Sequence, residues 1–400
     1  MPRTWLVLLF VTSVLLAGCD RSDTPAAPPA PTVPSRSADI VVPAGRPLII
    51  GVSAALEGDQ KEPGTDLVAA AQLAAGQFGN SVLGHPIELA ARDDGCSDPE
   101  KSVAVAADFI GEAALAGIIG PMCTTGAQAA NPRYEAAGVV HISASATRSN
   151  LSAQGEQFFF RTVWHDDVQA AVQSAYARNE LGAATAVVLG DGEPYGNALA
   201  REFAERFEDA GGRVLGEMRV ERGTTDFTSM ARQISDAGPD VVVFEGFNPE
   251  GPLLARALGE ADFEGFFMGP DGLLNAQDFL ETADTSAEGA TITGGALPDA
   301  AFIATYMALY QRPPTTPFVL QAHDAVTALL NAVEAAGVEQ DDGSLRIGRE
   351  ALAAALRAGR FAGLTGSVAF DERGERRGET PAELGVTVYR VFGGAFVAVE

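Results

Sequence analysis

The chain has 400 residues, a length that suits roughly two to three domains, and its 46% hydrophobic and 20% charged residues suit packed cores and exclude global disorder. Lys and Arg total 27 against 53 Asp and Glu, a formal net charge of −26. A field of that sign repels phosphate backbones and offers anionic lipid no basic face, so nucleic acid is excluded as a partner.

The first segment reads as an address. Arg3 gives a positive start, and Trp5 to Gly18 is an uncharged, mostly apolar run of 14 residues. That is too short to span a bilayer, which takes about 20 residues, and it fits a secretory signal peptide over 1–18. Leu16-Ala17-Gly18-Cys19 resembles a bacterial lipobox, which implies lipidation of Cys19 and attachment to a membrane; a plain signal peptide with an incidental cysteine is the alternative. Residues 19–46 are rich in Pro, Ala, Ser and Thr without apolar periodicity, and read as a disordered tether. Folding is expected to begin at Pro47. Cys96 and Cys123 are the remaining cysteines; in an oxidising compartment they suggest one disulfide, with two buried thiols as the alternative.

From Pro47 strands and helices alternate. Strands are expected at 48–53, 86–91, 115–120 and 139–143, with helices at 64–78, 98–110 and 124–137. After Arg161 the rhythm repeats: helices at 167–181, 195–210, 227–237 and 249–258, and strands at 184–189, 213–220, 241–244 and 265–268. Such alternation argues parallel sheets covered by helices on both faces, in two doubly wound lobes. Further on, helices are expected at 317–336 and 348–358 and strands at 366–370, 386–392 and 396–399, the last two as a hairpin through Gly393-Gly394.

Ligands of open α/β sheets bind beyond the carboxyl ends of the strands, so the strand-to-helix junctions carry the candidates. Pro121-Met122-Cys123-Thr124-Thr125-Gly126 offers hydroxyls and free N–H groups to an anion such as a carboxylate; Thr124 or Thr125 as a simple N-cap is the alternative. Ser143-Ala144-Ser145-Ala146-Thr147 offers small residues and hydroxyls, or is a plain turn. In the second lobe Tyr195 follows a glycine-rich junction, Glu245 and Phe247 close another strand, and Asp271 stands in a Pro-Asp-Gly turn. Asp271 can pair with an ammonium or serve the turn alone.

The order and spacing of Asp93-Asp94-Gly95-Cys96, Ile119 to Cys123, Ser143 to Thr147, Phe160-Arg161-Thr162, Tyr195-Gly196 and Phe267 to Gly272 resemble the leucine/isoleucine/valine-binding family, the extracytoplasmic solute receptors of branched-chain amino-acid ABC transporters. The likeness runs from Pro47 to about Gly374. It implies a type I periplasmic binding protein fold: α/β, two doubly wound parallel-sheet lobes joined by three crossover strands near 164–166, 296–299 and 366–371. The lobes are then 47–163 plus 299–365, and 164–298 plus 366–400. It also implies that Cys96 and Cys123 form the family's disulfide. Thr124 stands where a serine meets the ligand backbone, and Ser145, Ala146 and Thr147 form the loop holding carboxylate and ammonium. Tyr195 is implied as a cleft tyrosine and Asp271 as the acid on the ammonium, one methylene shorter than usual. Phe247 replaces a tyrosine. Thr125 and Glu245 are second-rank candidates: Glu245 replaces a glycine-like position and reads as a solvated strand end, or as a receiver of a cationic group. The loop Glu57 to Gly64 is charged where the family often has an apolar side-chain pocket, so a ligand other than leucine, isoleucine or valine is open.

The resemblance implies a monomeric receptor in the periplasm or at the cell surface. It would bind a small amino acid or related compound by hinge closure and pass it to an inner-membrane ABC permease. No cofactor or metal is expected, because His85, His141, His165 and His323 lack ligand spacing. A lipid-attached sensor or envelope interaction protein on the same fold is the alternative. A small-amide hydrolase finds no support, since no GxSxG, HExxH or SxxK motif occurs.

Overall fold

The computed structural model describes Met1, residues 38–153 and residues 155–399. The expected signal peptide, Cys19 and most of the expected tether lie outside these residues.

The first run comprises β1 (Ile40–Val42), β2 (Leu48–Ala54), α1 (Lys61–Gln77), β3 (Ser81–Val82), β4 (His85–Asp93), α2 (Pro99–Ile110), β5 (Leu115–Ile119), α3 (Thr124–Ala137), β6 (Val140–Ser143) and β7 (Phe159–Arg161). The second comprises α4 (Asp166–Asn179), β8 (Thr185–Gly190), α5 (Pro194–Asp209), β9 (Arg213–Arg219), α6 (Thr228–Ala237), β10 (Val241–Glu245), α7 (Glu250–Glu260), β11 (Phe266–Gly269), α8 (Glu281–Ala283) and β12 (Thr291–Gly294). The chain ends with α9 (Ala300–Tyr310), α10 (Val319–Ala336), β13 (Gly337–Glu339), β14 (Leu345–Ile347), α11 (Arg349–Ala358), β15 (Arg360–Gly363), β16 (Gly366–Ala369), α12 (Pro381–Leu384), β17 (Thr387–Phe392) and β18 (Ala395–Val399).

Two main sheets result. The first has the order β3-β4-β2-β5-β6-β7, parallel apart from the short β3 edge. The second has the order β18-β17-β12-β11-β10-β8-β9, with a parallel centre and the antiparallel hairpin β17-β18 on one edge. Central strands such as β5 and β10 are buried along their whole length, because helices cover both faces of a parallel sheet. Local signals agree with the tertiary demand. The Asp98 carboxylate accepts the N–H groups of Glu100 and Lys101 ahead of Pro99, and Gly138 closes α3 in the left-handed conformation. α10 is buried along most of its length and packs against α1, α11 and β5.

The chain passes between the sheets three times: from β7 to α4, from β12 to α9, and after β16. The third passage falls later than the sequence suggests. β16 pairs with β15, and Val368 and Phe370 sit in the first core, so the chain joins the second sheet only at Thr387. Regular structure is also present before Pro47. Ile40 and Val42 are buried, and β1 pairs with β14, because these alternating apolar residues complete a small sheet with β13. α9 was not foreseen: its sequence is apolar all round and gives no helical stripe, although Met307 and Leu309 stay exposed.

Cys96 and Cys123 are bonded, with an S–S distance of 2.00 Å, and hold the loop after β4 to the start of α3. Gly120 ends β5 with φ +116°, and a Cβ there would lie 2.2 Å from the Ser53 carbonyl oxygen. Both the backbone conformation and the close approach of β2 require glycine. Gly120→Ala is expected to lower unfolding free energy by about 3 kcal/mol or more, read from the denaturant midpoint.

Candidate ligand-binding site

Each sheet has a switch point where successive crossovers turn to opposite sides: between β2 and β5 in the first, and between β8 and β10 in the second. The segments beyond these strand ends face a common cavity of about 620 Å³, with walls from both lobes. Met122, Cys123, Thr124, Ser145 and Thr147 line it from the first lobe, and Tyr195, Phe247 and Asp271 from the second. Phe318 and the loop Gly58 to Pro63 complete one side, and Asn275, Gln277 and Asp278 the other.

The first-lobe wall is an anion seat. Cys123, not a threonine, is the N-cap residue of α3, and it makes no side-chain cap bond. Gly126 N–H donates to the Cys96 carbonyl and Ala127 N–H to that of Cys123, so the disulfide region fixes the helix start. Thr124, the first helical residue, therefore meets the cavity with the positive end of α3 behind it. The adjacent turn is held internally: the Ser143 hydroxyl donates to the Ala146 carbonyl and accepts from Ala146 N–H, and the Ser145 hydroxyl donates to the Met122 carbonyl at 2.7 Å.

The second-lobe wall is acidic. Asp271 opens a helical turn directly after β11, and the Tyr195 hydroxyl donates to its Oδ1 at 2.8 Å. Tyr195 is positioned by ring contact with Phe247, 5.1 Å between centroids. Gly196 lets α5 approach the end of β10, since a Cβ would lie 2.3 Å from the Glu245 carbonyl oxygen. Burial pushes the Asp271 carboxyl up to about 6, while hydrogen bonds from Tyr195 and Gln169 restrain the rise.

Three candidates, Ala146, Thr125 and Glu245, lie outside the cavity lining. Ala146 is buried in a small cluster with Ala127, Leu151 and Phe159. Thr125 faces the other lobe, its hydroxyl 3.5 Å from Glu193 Oε2. Nearby, Arg148 Nη1 donates to the Pro194 carbonyl at 2.7 Å, a second link across the cleft edge.

Glu245 is not a solvated strand end. It has 0% exposure, because β10 is the central strand at the switch point and α5 lies over its end. Burial and the nearby Asp271 and Asp166 push its carboxyl well above the usual range. Asp166, missed by the sequence reading, is also fully buried, and burial pushes it up to about 8. Its N–H donates to the Thr147 carbonyl at 2.9 Å, on the first crossing between the lobes. A crossover position alone gave no sign of a buried acid.

Another cavity, of about 720 Å³, lies on the outer side of the second sheet among α4, α12, β17 and β18. It holds His165 but none of the candidate ligand residues. Among the described residues no group of three or more His, Cys, Asp or Glu could hold a metal ion, and no helix is long and apolar enough to cross a membrane.

These features define a two-lobed solute-binding protein. The family model for periplasmic binding proteins matches residues 47–394, and the chain belongs to that family. It is similar to the leucine-, isoleucine-, valine-, threonine- and alanine-binding protein of Pseudomonas aeruginosa, at 34% identity over 74% of this chain and 77% of the relative. It is 27% identical to the Leu/Ile/Val-binding protein of Escherichia coli K12, over 80% and 84%. A leucine-binding protein from Thermotoga maritima superposes with a TM-score of 0.78 at 25% identity, covering 88% of this chain and 98% of the other. A Rhodopseudomonas palustris solute-binding protein in complex with benzoate shares the fold, with a TM-score of 0.76 at 20% identity over 88% and 95%.

The raised acids couple stability to pH. Asp166 and Asp271 hold protons in the folded chain that the unfolded chain releases near its ordinary carboxylate pKa of 3.8. Their contribution is therefore complete below that value and is lost as pH rises through about 6 and about 8. The ligand-free protein is expected to lose stability between about pH 5 and about pH 8 through these groups, and Asp166→Asn to flatten that slope in urea unfolding.

Proposed function

We propose that this protein is an extracytoplasmic solute receptor that binds a small amino acid or a related compound between its lobes. The observation that carries this reading is one cavity with complementary walls. The start of α3 with Thr124 suits a carboxylate, and Asp271 with Tyr195 suits an ammonium. The two walls belong to different sheets, so a ligand touching both favours the closed arrangement of the lobes by its differential affinity. Thr124, Ser145, Thr147, Tyr195, Phe247 and Asp271 are the binding residues, with Ala146 supporting the turn.

Delivery to an ABC permease follows from the same reading. It is supported by the likeness to solute-binding components of such transporters, among them a Streptococcus pneumoniae branched-chain amino-acid transporter substrate-binding protein in complex with isoleucine, TM-score 0.76 at 23% identity over 88% and 99%. The lipobox at Cys19 would keep the receptor at the membrane. The cleft is read as binding rather than catalytic, because the Ser145 hydroxyl is donated to a backbone carbonyl and is not activated as a nucleophile.

Asp271→Ala is expected to weaken amino-acid binding at least 100-fold in calorimetric titration; unchanged affinity would remove the ammonium assignment. In a thermal-shift screen of ligand-stripped protein, an amino acid at 100 times its Kd is expected to add about 2.7 kcal/mol to stability. If no amino acid raised the midpoint, the ligand class would be wrong.

A further inference from the structure

The cleft carries more negative charge than a zwitterion needs. Four carboxylates line it, Asp59 and Glu62 from the first lobe and Asp271 and Asp278 from the second, against the single cation Lys61. One α-ammonium answers Asp271, and the start of α3 answers the α-carboxylate. That leaves Asp59 and Glu62 on one side of the cavity and Asp278 on the other with no ligand charge to answer them. Glu62 and Asp278 approach from opposite lobes closely enough to repel, so closing the lobes brings like charges together unless something positive stands between them.

A second observation, independent of the rim, points the same way. Asp166 and Glu245 are fully buried behind Tyr195 and Asp271, and none of their carboxylate oxygens has a hydrogen-bond partner. Both ends of the buried Gln173 amide beside Glu245 are unpartnered too. Asp191 adds another buried carboxylate near Glu245. Arg161 is the cation facing Asp166, and it is already committed to Glu375 and to the Thr147 and Arg148 carbonyls. Buried acids without partners are costly unless a positive charge comes to them. They lie near the Tyr195 hydroxyl that donates to Asp271, so a positive charge held at Asp271 favours their ionised forms.

Resting on the receptor reading above, we infer that the cleft selects a solute of net positive charge. The solute is an amino acid bearing a second ammonium or a guanidinium, with Asp271 taking the α-ammonium and Glu62 and Asp278 taking the distal cation. This departs from the amino acids in the names of the relatives, none of which has a charged side chain. It gives a use to the charged Gly58 to Pro63 loop, which offers no apolar seat for a branched side chain.

The test is calorimetric titration of the ligand-stripped protein with arginine, lysine, leucine and glutamate, at low and high salt. Arginine or lysine is expected to bind at least tenfold tighter than leucine at low salt, glutamate weakest of all, and added salt to narrow the gap because the rim is exposed. Glu62→Gln and Asp278→Asn, on opposite lobes, are each expected to reduce the ratio of cationic to leucine affinity at least threefold. Leucine binding as tightly as arginine, or a ratio unchanged in both variants, overturns the inference and leaves the receptor reading standing. Failure of all four amino acids to bind overturns both.

Discussion

Two parallel sheets facing each other with their carboxyl ends set the terms for everything else in this molecule. Each strand delivers its following turn to the same edge, and each sheet opens a crevice where its crossovers reverse direction. The chain must pass between the sheets three times to build this arrangement. The crossing segments therefore carry buried polar groups that a single-sheet domain would not need. Arg161, Thr162, Asp166, Glu375 and Arg376 are all of this kind, each nearly or wholly buried next to a passage.

That geometry explains the electrostatics of the cleft. A helix start is brought in from one side and a run of carboxylates from the other, so the cavity is polarised before any solute arrives. Tyr195 mediates between them. Its hydroxyl fixes Asp271 while its ring rests on Phe247, which packs there without offering a hydroxyl of its own. Glu245 shows how a departure at one junction is absorbed. Its carboxyl is buried at the end of β10, and that burial raises its affinity for a proton.

Much of this was legible in the sequence. The alternation of apolar runs with 10–15-residue helical stretches defined the lobes, and the junction motifs brought Thr124, Ser145, Thr147, Tyr195, Phe247 and Asp271 to one cavity. Ala146 and Thr125 flank that lining, because a short turn alternates its exposure and a helix start turns by about 100° per residue. What escaped was decided at long range. Ile40–Val42 is too short to register as a strand until β14 pairs with it, some 300 residues later. Asp166 and Glu245 read as ordinary polar residues because their burial depends on the other lobe and on a neighbouring helix. α9 lacks a polar face and so carries no period to detect.

The small sheet of β1, β14 and β13 has a mechanical meaning. Ile40 pairs with Ile347 and Val42 with Leu345, clamping β1 to the body built on the first sheet. A pull on the chain ahead of Ile40 would load the β1–β14 pairing and the body built on the first sheet, and none of the three crossings lies in that path.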